Sequence, residues 1–388
     1  MKIWYLTRSF YPYQKGGGPL LRLGQVKALE EKGWDISVVM PNYGSNKLNI
    51  ENNIIQIPLN YNIKINSYLE RLGLSEDYLD KWVKKAFKYL KNKIKKDDII
   101  FATSGGELGM IKLASLLKDE IGCKFVVNFH DPLDYSIVNG LKLDKKFHIS
   151  REKQEYKYLK NSDLIITSSK YNKNSLQMKY PKWENKIKNN YFGYIKEINL
   201  KEYKKIKSKK LRVAYVGNMG DLQKPEILYN IFKNLNNSNI EIFFIGDSKS
   251  YKPLNNIADF NVNFIDFIPH SEFLKFMVEF IDVGFVSLTN DYLGACVPSK
   301  IYEYINLGLP MIGALPDGDG KDIINKNGYG LAYNYNDIDN LSKALENLTD
   351  KNYLEKIKLN ILKDKKKWSM KNRIKEIDIY LKELIYEN

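Results

Sequence analysis

Cysteine, histidine and long apolar runs are all scarce in this 388-residue chain. Its two cysteines, Cys123 and Cys296, match neither a metal-ligand spacing nor a disulfide framework, which excludes a cysteine-held metal centre and a disulfide-stapled scaffold. A reducing compartment suits such a chain. The three histidines are His130, His148 and His270. No stretch approaches the ~20 apolar residues of a spanning helix, and Met1-Lys2-Ile3-Trp4-Tyr5-Leu6-Thr7 lacks the apolar core and cleavage site of a signal peptide. The expectation is a cytoplasmic protein that is not integral to a membrane. With 44% hydrophobic and 28% charged residues, the composition is that of an ordered globular chain long enough for two domains.

What is abundant is positive charge, and it is unevenly placed. Residues 1–195 carry 33 Lys and Arg against 20 Asp and Glu, a net of +13, which leaves +2 for residues 196–388. A basic front half is drawn to anionic partners, for which a membrane surface, a phosphorylated lipid or nucleic acid are the physical candidates. A Lys-rich surface with no such partner is the plainer account. Against nucleic acid, no recognised binding motif occurs and the 28 tyrosines are scattered rather than grouped as stacking platforms.

The chain reads as alternating strands and helices. Lys2–Leu6 is a first strand, followed by a Pro- and Gly-rich turn, Ser9–Gly18, and a helix Leu20–Lys32 closed by Gly33. Strands follow at Ile36–Met40, Ile54–Ile57, Asp98–Ala102 and Lys124–Phe129, with a long helix and a second helix, Leu108–Lys118, among them. A charged helix near Arg151–Lys160 and a strand around Ser162–Ser168 close the first half. Lys182–Lys210 has little periodicity and reads as a linker. Alternation resumes with strands at Leu211–Val216, Glu241–Ile245, Asn263–Phe267 and Val283–Ser287, and the segment Lys366–Glu387 is a final amphipathic helix. Such alternation predicts an α/β protein of two doubly wound, Rossmann-like domains with ligands at the carboxyl ends of the strands. The expected domains are 1–195 and 196–365.

The centre of function is placed at Val297-Pro298-Ser299-Lys300-Ile301-Tyr302-Glu303, running to Gly308 and Pro310. Pro and Ser suit the start of a helix, with Ser299 capping its free amides, and Lys300 adds a cation where the helix end already favours phosphate. Glu303, one turn on, can accept hydrogen bonds from a vicinal diol such as ribose. A capped surface helix is the plain alternative. Gly308 is the expected left-handed cap, and Met311–Leu315 the strand that follows.

Three further features attract attention. Gly16-Gly17-Gly18 lets backbone approach a ligand but lacks the offsets of the dinucleotide fingerprint. His130-Asp131-Pro132 ends an apolar strand, where an active-site group would sit. The basic run Lys81–Lys96 surrounds Trp82, Val83, Ala86, Phe87, Leu90 and Ile94 at helical spacing. It is either a surface helix packed on the sheet or a membrane-lying helix whose aromatic face is exposed.

Taken in order, the glycine loop, the Phe-His-Asp-Pro strand end, the turn Gly217-Asn218-Met219-Gly220 and the Pro-Ser-Lys-x-x-Glu-Tyr-x-x-x-Gly-x-Pro stretch resemble a GT-B glycosyltransferase. The pattern is similar to the retaining family 4 enzymes of bacterial surface polysaccharide assembly, over nearly the full length. The resemblance implies two domains facing across a cleft, with the terminal helix returning to the first. It implies a nucleotide-diphosphate sugar donor, UDP- or GDP-linked, no cofactor and no metal. Ser299 and Lys300 would hold the diphosphate, Glu303 the ribose, Phe267 and Ile268 the base, and Gly217, Asn218 and Lys224 a second phosphate contact, although Asn218 stands where an arginine is usual. Gly16, Gly17 and Gly18 would close over the diphosphate, and His130 with Asp131 would lie near the reacting sugar. Where the family often has an acidic residue eight positions before the ribose ligand, this chain has Ala295, which suggests a donor lacking a ring hydroxyl. The acceptor is expected to be an oligosaccharide or a polyprenyl-diphosphate-linked saccharide on the inner membrane face, with Arg22, Lys84 and Lys88 on the acceptor or membrane side. Three readings compete with this one. Asp317-Gly318-Asp319 could be a metal-binding pair, the fold could serve an epimerase or hydrolase, and the basic chain could bind nucleic acid.

Overall fold

The computed structural model describes residues 1–133, 153–235 and 237–386. His148 and Arg151, at the start of an expected helix, lie outside them; the chain is helical at 153–159. Two compact units result: Met1–Tyr191 together with the chain from Arg373 onward, and Phe192–Asn372. The divisions thus fall at 191/192 and 372/373, against the 195/196 and 365/366 read from the sequence.

Unit 1 is built on an eight-stranded sheet in the order β3-β4-β2-β1-β5-β6-β7-β8. Its strands are β1 (Ile3–Leu6), β2 (Ile36–Asn42), β3 (Asn49–Glu51), β4 (Ile54–Pro58), β5 (Ile99–Gly105), β6 (Lys124–Asp131), β7 (Leu164–Thr167) and β8 (Ile187–Asn189). All pair in parallel except β3 against β4. Strands β1, β2 and β5 are buried along their whole length, as continuous apolar runs covered on both faces should be. The order reverses between β1 and β5, which makes their carboxyl ends the crevice of this unit.

Two sequence expectations are corrected here. The long helix after β4 is two helices, α2 (Ile63–Arg71) and α3 (Asp80–Leu90), separated where Gly73 takes a left-handed φ of 71°. The basic run extends past the end of α3, and its apolar stripe of Trp82, Val83, Ala86 and Leu90 is buried against the sheet. The second correction is β8, which lies in the segment read as a linker. It pairs with β7 at the sheet edge.

Helix α1 (Gly17–Glu30) begins three residues earlier than its apolar periodicity indicates, so Gly17, Gly18 and Pro19 form its first turn. The final helix, Met370–Tyr386, belongs to unit 1 from Arg373 onward. Trp34 donates to Asp378 at 2.9 Å, and Asn190 donates to the Arg373 carbonyl at 2.8 Å and to Glu376 at 3.0 Å.

Unit 2 has a six-stranded, wholly parallel sheet in the order β11-β10-β9-β12-β13-β14. The strands are β9 (Leu211–Val216), β10 (Ile240–Ile245), β11 (Val262–Ile265), β12 (Val283–Ser287), β13 (Met311–Ala314) and β14 (Gly330–Tyr333). Counted from β9 the order is third, second, first, fourth, fifth, sixth, the arrangement of a dinucleotide-type Rossmann domain with its switch point between β9 and β12. Both units are therefore Rossmann-like.

Candidate active site

At the switch point of unit 2, β9 runs into Gly217 (φ 123°) and β10 into Gly246 (φ 140°). Neither backbone suits an L side chain, and a Cβ on Gly246 would stand 2.5 Å from the Gly217 carbonyl oxygen. The two strand ends are thus stripped of side chains. Over them comes the helix Ser299–Leu307, which ends on Gly308 in the left-handed conformation (φ 63°, ψ 27°), as its sequence predicts.

The position of that helix is fixed by one aromatic ring. Gly284 in β12 has no Cβ, and one placed there would lie 2.5 Å from the Tyr304 ring. Tyr304 fills that space fully buried and donates to the Phe285 carbonyl at 3.2 Å, which holds the helix against the sheet.

Lys300 consequently passes over Gly217, its Cε 3.5 Å from where a Cβ would be. The Nζ lies 2.6 Å from Glu303 Oε2 and 5.2 Å from the Phe273 ring centroid. Both charged side chains are about a quarter exposed, at 28% and 24%. A partly exposed i,i+3 helix pair of this kind contributes only ~0.2–0.5 kcal/mol, so stability is a weak reason for placing the two charges together here.

The expected cap is corrected: Pro298 is the capping residue, Ser299 is inside the helix, and no side chain bonds the first amides. Those N–H groups, the helix dipole and Lys300 all favour an anion at the same point. Below it, the 220–224 turn is tied to the end of β12. The Ser287 hydroxyl bonds the Gln223 carbonyl, the Thr289 amide donates to the Leu222 carbonyl at 2.8 Å, and the Thr289 hydroxyl donates to the Asp221 carbonyl at 3.0 Å. Lys224 is exposed with an unusual positive φ of 40°, and Asn218 is exposed, its carbonyl accepting from Tyr215. Strand β11 stops at Ile265, so Phe267, 85% exposed, and half-buried Ile268 stand beyond it.

Unit 1 carries its own cluster at the carboxyl ends of β1, β5 and β6. A Cβ on Gly105 would meet Arg22 Nη2 at 3.1 Å, Arg8 Nη2 at 3.5 Å and Asp131 Oδ2 at 3.6 Å, so three charged groups converge there. Glu107, buried, accepts from the Gly105 amide at 2.9 Å and lies 3.1 Å from Arg8 Nε. That pairing holds the Arg8 guanidinium well above its ordinary pKa, whereas burial lowers Arg22. Arg22 donates to the Ser9 hydroxyl at 2.5 Å. His130 is buried beside these cations, and its pKa is pushed well below the usual value by burial and then by Arg22 and Arg8. Burial and the two guanidinium groups thus favour the neutral imidazole.

Sequence reading singled out His130, Asp131 and Arg22 but missed Arg8 and Glu107, which meet only through the pairing of β1 with β5. The signal available was Ser104-Gly105-Gly106-Glu107, a turn directly after an apolar strand. Arg22 is 3% exposed and faces this cluster, so it is no surface contact for a membrane. Lys84 and Lys88 are exposed on α3. Gly16 (φ 116°), Gly17 and Gly18 are exposed at the start of α1, again with no side-chain cap.

The Asp317-Gly318-Asp319 alternative does not form a metal pair. Asp317 is exposed and bound to Lys321 at 2.7 Å, whereas Asp319 is buried in the first turn of the following helix. Gly318 packs on Gly294, where a Cβ would stand 2.0 Å from its carbonyl oxygen, so backbone packing accounts for that glycine. Among the described residues no group of three or more His, Cys, Asp or Glu could hold a metal ion.

No family model matches the chain, and no relative was found among curated proteins. Solved structures do match over the full length. A UDP-forming α,α-trehalose-phosphate synthase from Burkholderia xenovorans has a TM-score of 0.73 at 12% identity, covering 100% of this chain and 99% of that one. The lipopolysaccharide outer core galactosyltransferase WaaB, in its apo form, gives 0.66 at 14% identity, with 100% and 99% covered. A trehalose-6-phosphate synthase studied for glycosyl transfer with retention gives 0.66 at 13% identity, with 99% of each chain covered. At these identities the likeness is one of fold: the chain has the two-Rossmann, GT-B fold that these sugar-transferring enzymes share.

Proposed function

We propose that this protein is a glycosyltransferase that moves a sugar from a nucleotide-diphosphate donor to a saccharide or lipid-linked saccharide, with retention of anomeric configuration. The observation that carries the reading is Lys300 lying over Gly217, with Glu303 at 2.6 Å, at the uncapped start of a helix on the switch point of unit 2. A diphosphate seated there meets the ammonium and the free amides, and Glu303 turns from Lys300 to the ribose diol. Charge that develops on the leaving diphosphate is stabilised by groups already in place, without a metal. The name of the trehalose-phosphate synthase, UDP-forming, favours UDP, and the WaaB name favours a place in surface polysaccharide assembly.

Unit 1 supplies the acceptor side in this reading. Neutral His130 exchanges hydrogen bonds with sugar hydroxyls, and a diphosphate oxygen takes the acceptor proton, so no side-chain nucleophile is invoked. Ala295, at the end of the turn Asp291–Ala295, offers no carboxylate to the donor, which supports a deoxy or aminodeoxy sugar.

The test is transfer from UDP- and GDP-sugars to oligosaccharide and polyprenyl-diphosphate-saccharide acceptors, with and without chelator, and NMR assignment of the product anomer. Chelator-resistant transfer that retains configuration and fails in Lys300→Ala supports the reading. Chelator-sensitive transfer, an inverted product or an unaffected variant refutes it.

A further inference from the structure

We infer that helix α2 and the lysine row of α3 form a docking surface for an anionic membrane. This rests on the surface of unit 1 alone and stands or falls independently of the transferase reading. Amphipathic helices of globular proteins bury their apolar face, and α2 does the reverse. Ile65 is 59% exposed, Tyr68 61%, Leu72 53% and Leu74 72%, while Asn66 and Glu70 are buried. Residues 65, 68 and 72 recur at helical spacing, so they share one outward face.

The inward polar groups are well satisfied. Asn66 donates to the Asn62 carbonyl at 2.8 Å, and Glu70 accepts from the Tyr78 amide at 3.1 Å. The orientation is therefore held by specific bonds.

Charge selects the occupant. Exposed Lys64 and Arg71 flank the apolar face. Lys81 stands 5.7 Å above the Tyr61 ring, just before α2, and Lys84, Lys85 and Lys88 continue from it along α3, all exposed. The nearby acids are engaged elsewhere: Glu76 and Asp80 bind Lys112 at 2.6 and 2.7 Å, and Glu70 points inward. An outward apolar face with a tyrosine, beside exposed lysines that form no ion pair among the described residues, matches the interface of a bilayer rich in anionic lipid. The buried stripe of α3 contributes no contact. Its lysines attract while α2 inserts.

The experiment is cosedimentation of the full chain with phosphatidylcholine vesicles, alone and with one-third phosphatidylglycerol. Wild type should bind the anionic vesicles and leave the neutral ones. Ile65→Ser/Leu72→Ser should lose at least tenfold in partitioning, at low and high salt alike. Lys84→Ala/Lys88→Ala should lose roughly fivefold per lysine at low salt, with the difference fading as salt screens it. Leu359→Ser, an equally exposed apolar site in unit 2 at 63%, should change nothing. Melting temperatures near that of wild type would show that the exposed substitutions leave the fold intact. The inference is overturned if wild type ignores anionic vesicles, or if Ile65→Ser/Leu72→Ser binds as wild type does. It is also overturned if light scattering finds a dimer that this variant dissolves, since the covered face would then belong to a second copy.

Discussion

Gly284→Ala is the substitution through which packing and ligand binding are most directly joined. Its Cβ would stand 2.5 Å from two atoms of the Tyr304 ring, closer than carbon atoms approach one another. Tyr304 is fully buried, with its hydroxyl on the Phe285 carbonyl, so the ring must leave its site and the hydroxyl must lose its partner. Overpacking of this kind costs about 1–3 kcal/mol, and a buried hydroxyl left unpaired about 1–3 more. A total of roughly 2–6 kcal/mol is expected from chemical denaturation. The same shift displaces Lys300 and Glu303, which share the helix with Tyr304, so nucleotide binding should weaken although Gly284 itself is buried in β12. Pairing Gly284→Ala with Tyr304→Leu should cost less than the two single changes together, because the smaller side chain frees the space. A Gly284→Ala protein within 0.5 kcal/mol of wild type, or strictly additive costs, would refute this account of how the helix is held.

Other perturbations give sharper local tests. As pH is lowered from about 7.5 to about 5.5 the unfolded chain takes up a proton on His130 that the folded chain, whose pKa is held low by burial, resists, so this group adds an increment of lost stability as pH falls. Denaturation curves of His130→Gln should lack that increment, and an unchanged pH slope would contradict a neutral buried imidazole. Glu107→Gln should destabilise by about 2–3 kcal/mol, below the figure for a fully buried pair because Arg8 is 39% exposed. Thermal or urea denaturation reads it, and a neutral result would mean that Glu107 does not hold Arg8.

The alternation of strands and helices was legible because parallel strands buried on both faces are continuous apolar runs, as in Phe125-Val126-Val127 and Ile242-Phe243-Phe244. The Gly308 stop was legible because only a left-handed residue closes the helix there. Less visible was β8, three residues long and held by pairing with β7 alone. The break between α2 and α3 was marked by Gly73, but the continuous lysines hid it. Helix α2 misleads any reading by periodicity, since its apolar face points outward. Arg8 and Glu107 meet only through sheet pairing, far apart along the chain, so nothing local announced them. Ser299 looked like a cap because Ser usually is one, yet Pro298 with its extended backbone takes that place.

The most direct measurement of the central claim is a thermal-shift panel of UDP, GDP, CDP and their sugars, with and without chelator, on wild type and Lys300→Ala. A ligand at 100 times its dissociation constant adds about 2.7 kcal/mol of stability. Loss of a charge-assisted contact of about 1.5–3 kcal/mol would remove between about half and nearly all of that gain in the variant. The account predicts one nucleotide that stabilises wild type without a metal and fails on Lys300→Ala. Stabilisation that is equal in both proteins, or none from any nucleotide, would contradict it.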